Sequence, residues 1–389
     1  MPPLSLYIHI PYCVHKCPYC DFHSRVDAVV PQADYVDALL IEMRYWRARL
    51  QGDKRNLHTL FLGGGTPSLF DPEQIARLLQ GIAQIWPLSP TCEITLESNP
   101  ESLTKDRLAG YRQAGVTRIS MGVQALDDAR LQRLDRPHNR SQAQQALAWL
   151  GEAGFRSWSA DLIYATPDHT LEGWLKELDE ILAYSPPHLS CYALTVEPGT
   201  PFFQQQREGG LHIPEDEQQL VLMDATYERL SKAGLPPYEI SNFARVHHPC
   251  RHNQNYWQFG DYLGVGVAAH GKVTDAAGRV VRSANLADAA RYFSRLQEEG
   301  VPPLVRDMLL SPQEAGNEAL VMGLRTMEGL NKATYQQARG KPVEQTVGGD
   351  LSWFLKQGLV AHNDTHIWLT SKGLRLGDGV MSELMEMEL

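Results

Sequence analysis

The sequence predicts an α/β fold: a partial barrel of six βα units over residues 1–205, an α+β extension over 206–305, and a small helical, winged-helix-like cap over 306–389. Three observations carry this expectation. Short β-rich apolar runs alternate with longer stretches of helical periodicity through the first half, a pattern that implies a parallel sheet curled by right-handed crossovers. The alternation stops near residue 205. Glycines and polar groups cluster just past the end of each of the six runs, where parallel α/β folds build their sites.

The elements follow in order. Strands are expected at 6–10, 58–62, 93–96, 118–121, 157–163 and 189–194. Helices are expected at 33–50, with Tyr35, Leu39, Met43 and Trp46 on one face, then at 72–85, 104–114, 141–153 and 171–184. Pro72 suits a first helical position, where its missing N–H costs nothing. A closed eight-unit barrel needs two further units, which the sequence does not supply. Beyond residue 205 a helix is expected at 216–233, short strands broken by Gly, Asn and Pro at 237–283, and two helices with a hairpin near 366–370 from Ser311 onward.

Composition narrows the function class. Of the 389 residues, 43% are hydrophobic and 21% charged, ordinary globular values that exclude wholesale disorder. The formal net charge of -10 argues against a broad nucleic-acid footprint. No apolar run approaches the roughly 20 residues of a membrane span, and the opening residues carry no leader pattern, so the expected compartment is the cytoplasm. Of six cysteines, Cys13, Cys17 and Cys20 fall within eight residues while Cys92, Cys191 and Cys250 are scattered. That is wrong for a disulfide framework and right for a metal or cluster site in a reducing compartment.

Three thiolates are one short of a structural zinc site, which would need a fourth ligand such as His9, His15 or His23. A 4Fe-4S cluster held by three cysteines leaves one iron open for a ligand. After the second strand comes Gly63-Gly64-Gly65-Thr66-Pro67. No Gly-Lys-Ser/Thr follows it, so it is not a phosphate-binding P-loop.

The run Cys13-Val-His-Lys-Cys17-Pro-Tyr19-Cys20, with a glycine triplet after the next strand, resembles the radical S-adenosylmethionine family, whose motif is C-x3-C-x-Φ-C with an aromatic Φ. The resemblance implies a partial six-unit barrel and a 4Fe-4S cluster on Cys13, Cys17 and Cys20. It also implies S-adenosylmethionine on the open iron, cleaved by one electron to methionine and a 5′-deoxyadenosyl radical. By the same resemblance Gly64, Gly65 and Thr66 meet the methionine amino group, Tyr7 lies beside the methionine moiety and Glu97 takes the ribose hydroxyls. Gln124, Arg136 and Asp161 make further S-adenosylmethionine contacts, and Tyr19 is the aromatic of the motif. No catalytic acid, base or nucleophile stands out.

The segments Leu6-Tyr-Ile-His-Ile-Pro, Ser120-Met-Gly-Val-Gln124, Asp161-Leu-Ile-Tyr164 and Tyr238-Glu-Ile-Ser-Asn-Phe243 are similar to the subgroup of oxygen-independent coproporphyrinogen III oxidases, and within it to a heme-chaperone branch. The oxidases continue their motif to a fourth cysteine, where this chain has Phe22, and they carry an extension before the first strand. Decarboxylation of coproporphyrinogen is therefore the secondary expectation. His252-Asn253-Gln-Asn255-Tyr256-Trp257 matches the H-N-x-x-Y-W element of the chaperone branch, which implies heme binding with His252 as axial ligand, an aromatic pair on the porphyrin and Arg251 at a propionate. By composition alone the same segment, with His247, His248 and Cys250 just before it, suits zinc or a solvated loop equally. Gly264-Val-Gly266-Val-Ala-Ala-His270-Gly271 lacks the acidic residue of a dinucleotide site about 20 positions on, and His270 has no assigned role.

The resemblance implies heme as cargo and acceptor hemoproteins as partners, membrane-associated respiratory proteins among them; a dimer is compatible with it. Protein purified without oxygen is expected to be brown, with the broad visible absorption of an iron–sulfur cluster. A colourless, zinc-loaded product would make the cysteine triplet a structural scaffold instead.

Overall fold

The computed structural model describes residues 2–347 and 351–385. Its six central strands are β1 (Leu4–Ile10), β2 (Leu57–Gly64), β3 (Leu88–Ser98), β4 (Arg118–Gln124), β5 (Ser157–Tyr164) and β6 (His188–Ala193), all parallel. The crossovers run through α1 (Gln32–Arg49), α2 (Pro72–Ile85), α3 (Lys105–Ala114), α4 (Arg140–Glu152) and α5 (Leu171–Ala183). Each expected unit is present, with ends moved by a few residues. Thr104, expected inside α3, caps it by accepting a hydrogen bond from the Arg107 N–H.

The helices sit where their apolar stripes send them. In α1, Tyr35, Leu39, Met43 and Trp46 are buried against the sheet as their spacing requires. In α2, Ile75, Leu78, Leu79 and Ile82 form an i, i+3, i+4, i+7 stripe. Burying those four side chains contributes about 6–12 kcal/mol before the entropy of ordering is subtracted.

The sheet does not end at the sixth strand. Short β7 (Asn242–Ala244) pairs antiparallel with β6, and β8 (Asp261–Val265) pairs parallel with the free edge of β1. The sheet then continues antiparallel through β9 (His270–Thr274), β10 (Val280–Asn285) and β11 (Leu304–Leu309). Eleven strands thus form one open sheet, and a single apolar core runs from Leu4 to Leu296.

Two features of the 206–305 region differ from expectation. Residues Arg251–Trp257 form a short helix, α7, inside what reads as broken strand; it follows α6 (Asp216–Lys232). Its polar composition hides the helical period, because the buried positions of that face are His252 and Asn255 rather than aliphatics. A further helix, α8 (Ala289–Glu299), covers the added strands.

A buried carboxylate ties the extension to the barrel. Glu42 of α1, fully enclosed, accepts hydrogen bonds from Trp46 Nε1 (3.1 Å), Asn285 Nδ2 (2.7 Å), the Gly266 N–H (2.9 Å) and the Tyr292 hydroxyl (2.6 Å). The last three partners lie in the extension. The cap has its own core, including Leu320, Leu324, Tyr335, Ile367 and Met381. Its helices pack with a three-stranded sheet that includes the hairpin at Val360–His362 and His366–Leu369. No helix among the described residues is long and apolar enough to cross a membrane.

Glu42→Ala would leave four buried donors without their acceptor and is expected to cost about 3 kcal/mol or more, read as a lowered urea midpoint. A change under 1 kcal/mol would show that the extension docks without this anchor.

Candidate functional site

The cysteine loop starts where β1 ends, and the end of β2 holds it there. In the β1–β2 register His9 faces Gly63 and Ile10 faces Gly64. The Gly65 N–H donates to Ile10 O (2.8 Å) and the Thr66 N–H to Tyr12 O (2.7 Å). A methyl group on Gly65 would stand 2.6 Å from Tyr12 O and 2.9 Å from Ile10 O, so only glycine lets the backbones approach this closely. Gly64 has φ +111°, and a Cβ there would meet the His9 ring at 2.5 Å.

Cys13, Cys17 and Cys20 line a cavity of about 350 Å³ together with Tyr19, Gly64, Gly65, Thr66, Glu97, Gln124, Arg136 and Asp161. Every residue expected at S-adenosylmethionine except Tyr7 is therefore on one wall system. A chain of polar contacts closes around it. Thr66 Oγ1 lies 3.6 Å from Cys13 Sγ and accepts from Asn99 Nδ2 (3.0 Å); Asn99 Oδ1 accepts from Arg136 Nη2 (2.6 Å); Arg136 Nη1 lies 3.5 Å from Cys17 Sγ. Tyr19 packs on Phe202, with its hydroxyl 3.4 Å from Arg136 Nη1.

Glu97 is half-buried between the strands and accepts the Gly64 N–H at 3.0 Å. Burial, reinforced by the nearby Asp161 charge, pushes its carboxyl up to about 7. Burial likewise raises Asp161, which accepts from Ser120 Oγ (3.0 Å) and Ser159 Oγ (3.1 Å). Burial also raises the Cys13 and Cys20 thiols, so their deprotonation waits on a strong local positive charge such as iron. Gln124 is held at φ +65°, an uncommon conformation for a residue with a Cβ and one that collects at functional sites.

The donor set fits a cluster and S-adenosylmethionine. Among the described residues no three His, Cys, Asp or Glu side chains converge tightly enough for one metal ion. That disfavours a single zinc but not a four-iron cluster, whose thiolates each take a different iron. Arg136 Nε and Glu101 Oε1 are buried cavity atoms with no hydrogen-bond partner among the described residues, a donor and an acceptor left for a ligand.

Asn99, Asp135 and Glu101 escaped the sequence reading. Asn99 bridges two strand ends, and Asp135, at φ +52°, turns its carbonyl toward Cys17 Sγ (3.7 Å) and its carboxylate to His15 (2.8 Å). Asn99 was legible by position, two residues past Glu97; Asp135 carries no local signal.

Tyr7 stands apart from the expectation. Side chains alternate along β1, and Tyr7 and His9 line an adjoining cavity of about 370 Å³ rather than the cysteine cavity. The two cavities share Phe22, Gly64 and Glu97.

The residues expected at heme are also divided. His252 is 1% exposed. Thr59 Oγ1 spends its proton on Ser5 Oγ, so His252 donates from Nδ1 to Thr59 (2.7 Å) and Nε2 accepts from the Tyr256 hydroxyl (2.9 Å). Burial pushes its imidazole down to about 3. Both ring nitrogens are taken, and axial ligation by His252 requires the Tyr256 bond to open. Tyr256 faces the second cavity, whereas Asn255 and Trp257 face a third, of about 730 Å³, between α7 and the cap. Asn253, on the same helix, lines none of these cavities. Arg251, expected at a propionate, is tied to Thr91 O (2.6 Å) and His58.

Residues 7–181 match the radical SAM superfamily model and residues 310–376 the HemN C-terminal domain. The chain is 36% identical to heme chaperone HemW of Haemophilus influenzae, covering 100% of this chain and 98% of that protein. It is 43% identical to the Escherichia coli protein of the same name over 73% of this chain and 74% of that one. With the mouse mitochondrial radical S-adenosyl methionine domain-containing protein 1 it shares 36% identity, over 98% and 87% of the two chains. The structure superposes on the radical SAM enzyme coproporphyrinogen III oxidase (HemN) of Escherichia coli with a TM-score of 0.82 at 26% identity, covering 99% of this chain and 90% of that one.

Gly65→Ala is expected to displace the cysteine loop and cut the iron retained after anaerobic reconstitution severalfold. Gly151→Ala, whose methyl meets open space in α4, should leave iron content at the wild-type level. Equal iron in both variants would mean that the tight turn does not hold the loop.

Proposed function

As the chain belongs to the radical SAM family of proteins named heme chaperone HemW, we propose that it binds heme and delivers it to acceptor hemoproteins, membrane-associated respiratory proteins among them, from the cytoplasm. The observation that carries this reading is the end-to-end likeness to chaperones of that name, which extends through the barrel, the α7 segment and the cap. Phe22 supports it: the oxidase motif places a fourth cysteine there, and this chain presents an exposed aromatic, 61% accessible, between two cavities.

In this proposal Cys13, Cys17 and Cys20 hold a 4Fe-4S cluster. When bound, that cluster supplies one-electron chemistry toward the sulfonium of S-adenosylmethionine. Arg136, 3.5 Å from Cys17 Sγ, offsets the negative charge of the thiolates. Gly64, Gly65 and Thr66 offer close-packed backbone to the methionine amino group. Glu97 in its ionised form accepts the ribose hydroxyls, and Gln124 and Asp161 line the remaining wall. These residues orient S-adenosylmethionine and keep water from the sulfonium; none of them needs to transfer a proton.

Two measurements test the proposal. Reconstituted protein should take up one heme per chain and pass it to an apo-hemoprotein; robust anaerobic conversion of coproporphyrinogen III to its vinyl product would overturn the chaperone reading. Because Glu97 ionises near 7 and the carboxylate is the better acceptor for hydroxyl donors, S-adenosylmethionine should bind up to about tenfold more tightly at pH 8 than at pH 6. In Glu97→Gln that rise should vanish, and a rise of the same size in the variant would remove Glu97 from the ribose.

A further inference from the structure

Below the S-adenosylmethionine wall the barrel interior is polar, and a buried imidazole there has no part in anything described so far. His188 opens β6, is 1% exposed, and lines none of the three cavities described above. Taking S-adenosylmethionine to lie against Asp161 as proposed above, we infer that His188 and Tyr238 are positioning residues for that ligand: they form a one-way chain of hydrogen bonds that aims the Ser159 hydroxyl at the Asp161 carboxylate.

Sheet register builds the chain. Ser120 pairs with Ser159 and Ser159 with His188, so three neighbouring strands put these side chains in one inward layer. Asp161 and Ser190, paired with each other, stand one layer further toward the C-terminal mouth. Of these residues Asp161 and Ser120 reach the cysteine cavity, while Tyr238, at the other end of the chain, lines the cavity between α7 and the cap.

Each bond takes its direction from the one before it. The Cys250 N–H donates to the Tyr238 hydroxyl oxygen (3.3 Å). Burial keeps that phenol protonated, and its proton goes to His188 Nε2 (2.9 Å). Burial, with Arg118 and His248 nearby, holds the His188 imidazole well below its ordinary value, and a neutral ring that accepts at Nε2 carries its proton on Nδ1. That proton points at Ser159 Oγ (2.7 Å), and Ser159 gives its own to Asp161 Oδ1 (3.1 Å). Ser190 Oγ, 3.3 Å from Ser159 Oγ, bonds to Asp161 as well. Because the chain starts on a backbone N–H, which cannot turn round, it runs only toward the carboxylate.

Asp161 needs these donors. Burial raises its carboxyl, and the Ser190 hydroxyl, the Arg118 charge and the Ser120 and Ser159 hydroxyls pull it back toward the anionic form that accepts hydrogen bonds from a ligand. The far end is equally fixed: Cys250 is the residue before α7, and the Tyr238 carbonyl accepts the Met327 N–H of the cap (3.1 Å). The residue that joins α7 to the cap thus also sets one wall of the cofactor cavity.

Equilibrium binding of S-adenosylmethionine to the full-length, cluster-reconstituted protein tests this, with cluster absorbance reporting the fold. Tyr238→Phe deletes one hydroxyl outside the cysteine cavity; His188 Nε2 loses its donor, the ring turns to the other tautomer, and Nδ1 takes the proton that Ser159 had given to Asp161. Binding should weaken about tenfold, the worth of one hydrogen bond to a charged group. Ser159→Ala should cost the same, and Tyr238→Phe should cost nothing further in a Ser159→Ala background, since a chain broken once stays broken. His188→Gln, whose amide replaces Nε2, should also lose about tenfold, whereas His188→Asn, whose amide N–H stands where Nδ1–H stood, should stay within about threefold of wild type. Losses that simply add in the double variant, equal losses in the two His188 variants, or wild-type affinity in Tyr238→Phe would each overturn the positioning role. Wild-type affinity in Asp161→Asn would remove S-adenosylmethionine from Asp161 and take the chain with it, whereas a loss in Asp161→Asn with none in Tyr238→Phe would strike the chain alone.

Discussion

The glycine turn at the end of β2 is the contact on which the site depends. Parallel pairing sets Gly64 opposite Ile10, and the next two N–H groups reach back to the carbonyls of Ile10 and Tyr12, so the cysteine loop leaves β1 already held against β2. The Gly64 N–H is then free to hold Glu97, and its bare α-carbon lets the His9 ring lie flat against it. One turn therefore fixes the thiols, the carboxylate expected at a ribose, and the imidazole that separates the two cavities. A side chain at Gly64 or Gly65 would move all three together, because the atoms it would strike are backbone oxygens and a buried ring rather than flexible side-chain ends.

Charge in the cavity is balanced rather than neutral. Burial raises both Glu97 and Asp161, the Asp161 charge raises Glu97 further, and Arg118 opposes both shifts. An interior of this kind is costly until a cationic ligand and an anionic cluster complete it. Arg136 Nε and Glu101 Oε1, without a hydrogen-bond partner among the described residues, are what that incompleteness looks like at the level of single atoms.

The extension turns a half-barrel into a two-cavity wall. Adding β8 to the free edge of β1 places Gly266 so close to His9 that a Cβ there would stand 2.4 Å from its carbonyl oxygen, which explains the glycines of the 264–271 segment without a nucleotide. The Glu42 network locks that added edge to α1, and α7 lies beneath it with one face toward Tyr262 and the other toward the cap. The barrel, the strands from β8 onward and the helix carrying His252 are in this sense one device, since the second and third cavities each take their lining from at least two of them.

The six βα units, the helix faces and the cysteine, glycine and strand-end motifs were readable from the chain because they rest on local periodicity and on covalent spacing, which tertiary packing does not alter. Asp135 was not, and Asn99 was legible only as a position past Glu97, since their roles come from a backbone turn and strand ends brought together only by the sheet. The helix at 251–257 was hidden because its buried face is polar. Which histidines reach a cavity was likewise beyond the sequence: His252 carries the motif but lies inside with both nitrogens bonded, whereas His270 and His23 line one groove. Sequence determined the chemistry the chain brings, in thiols, glycines, carboxylates and imidazoles. Only the folded sheet decided which of them face a cavity, because exposure depends on register between strands far apart in the chain.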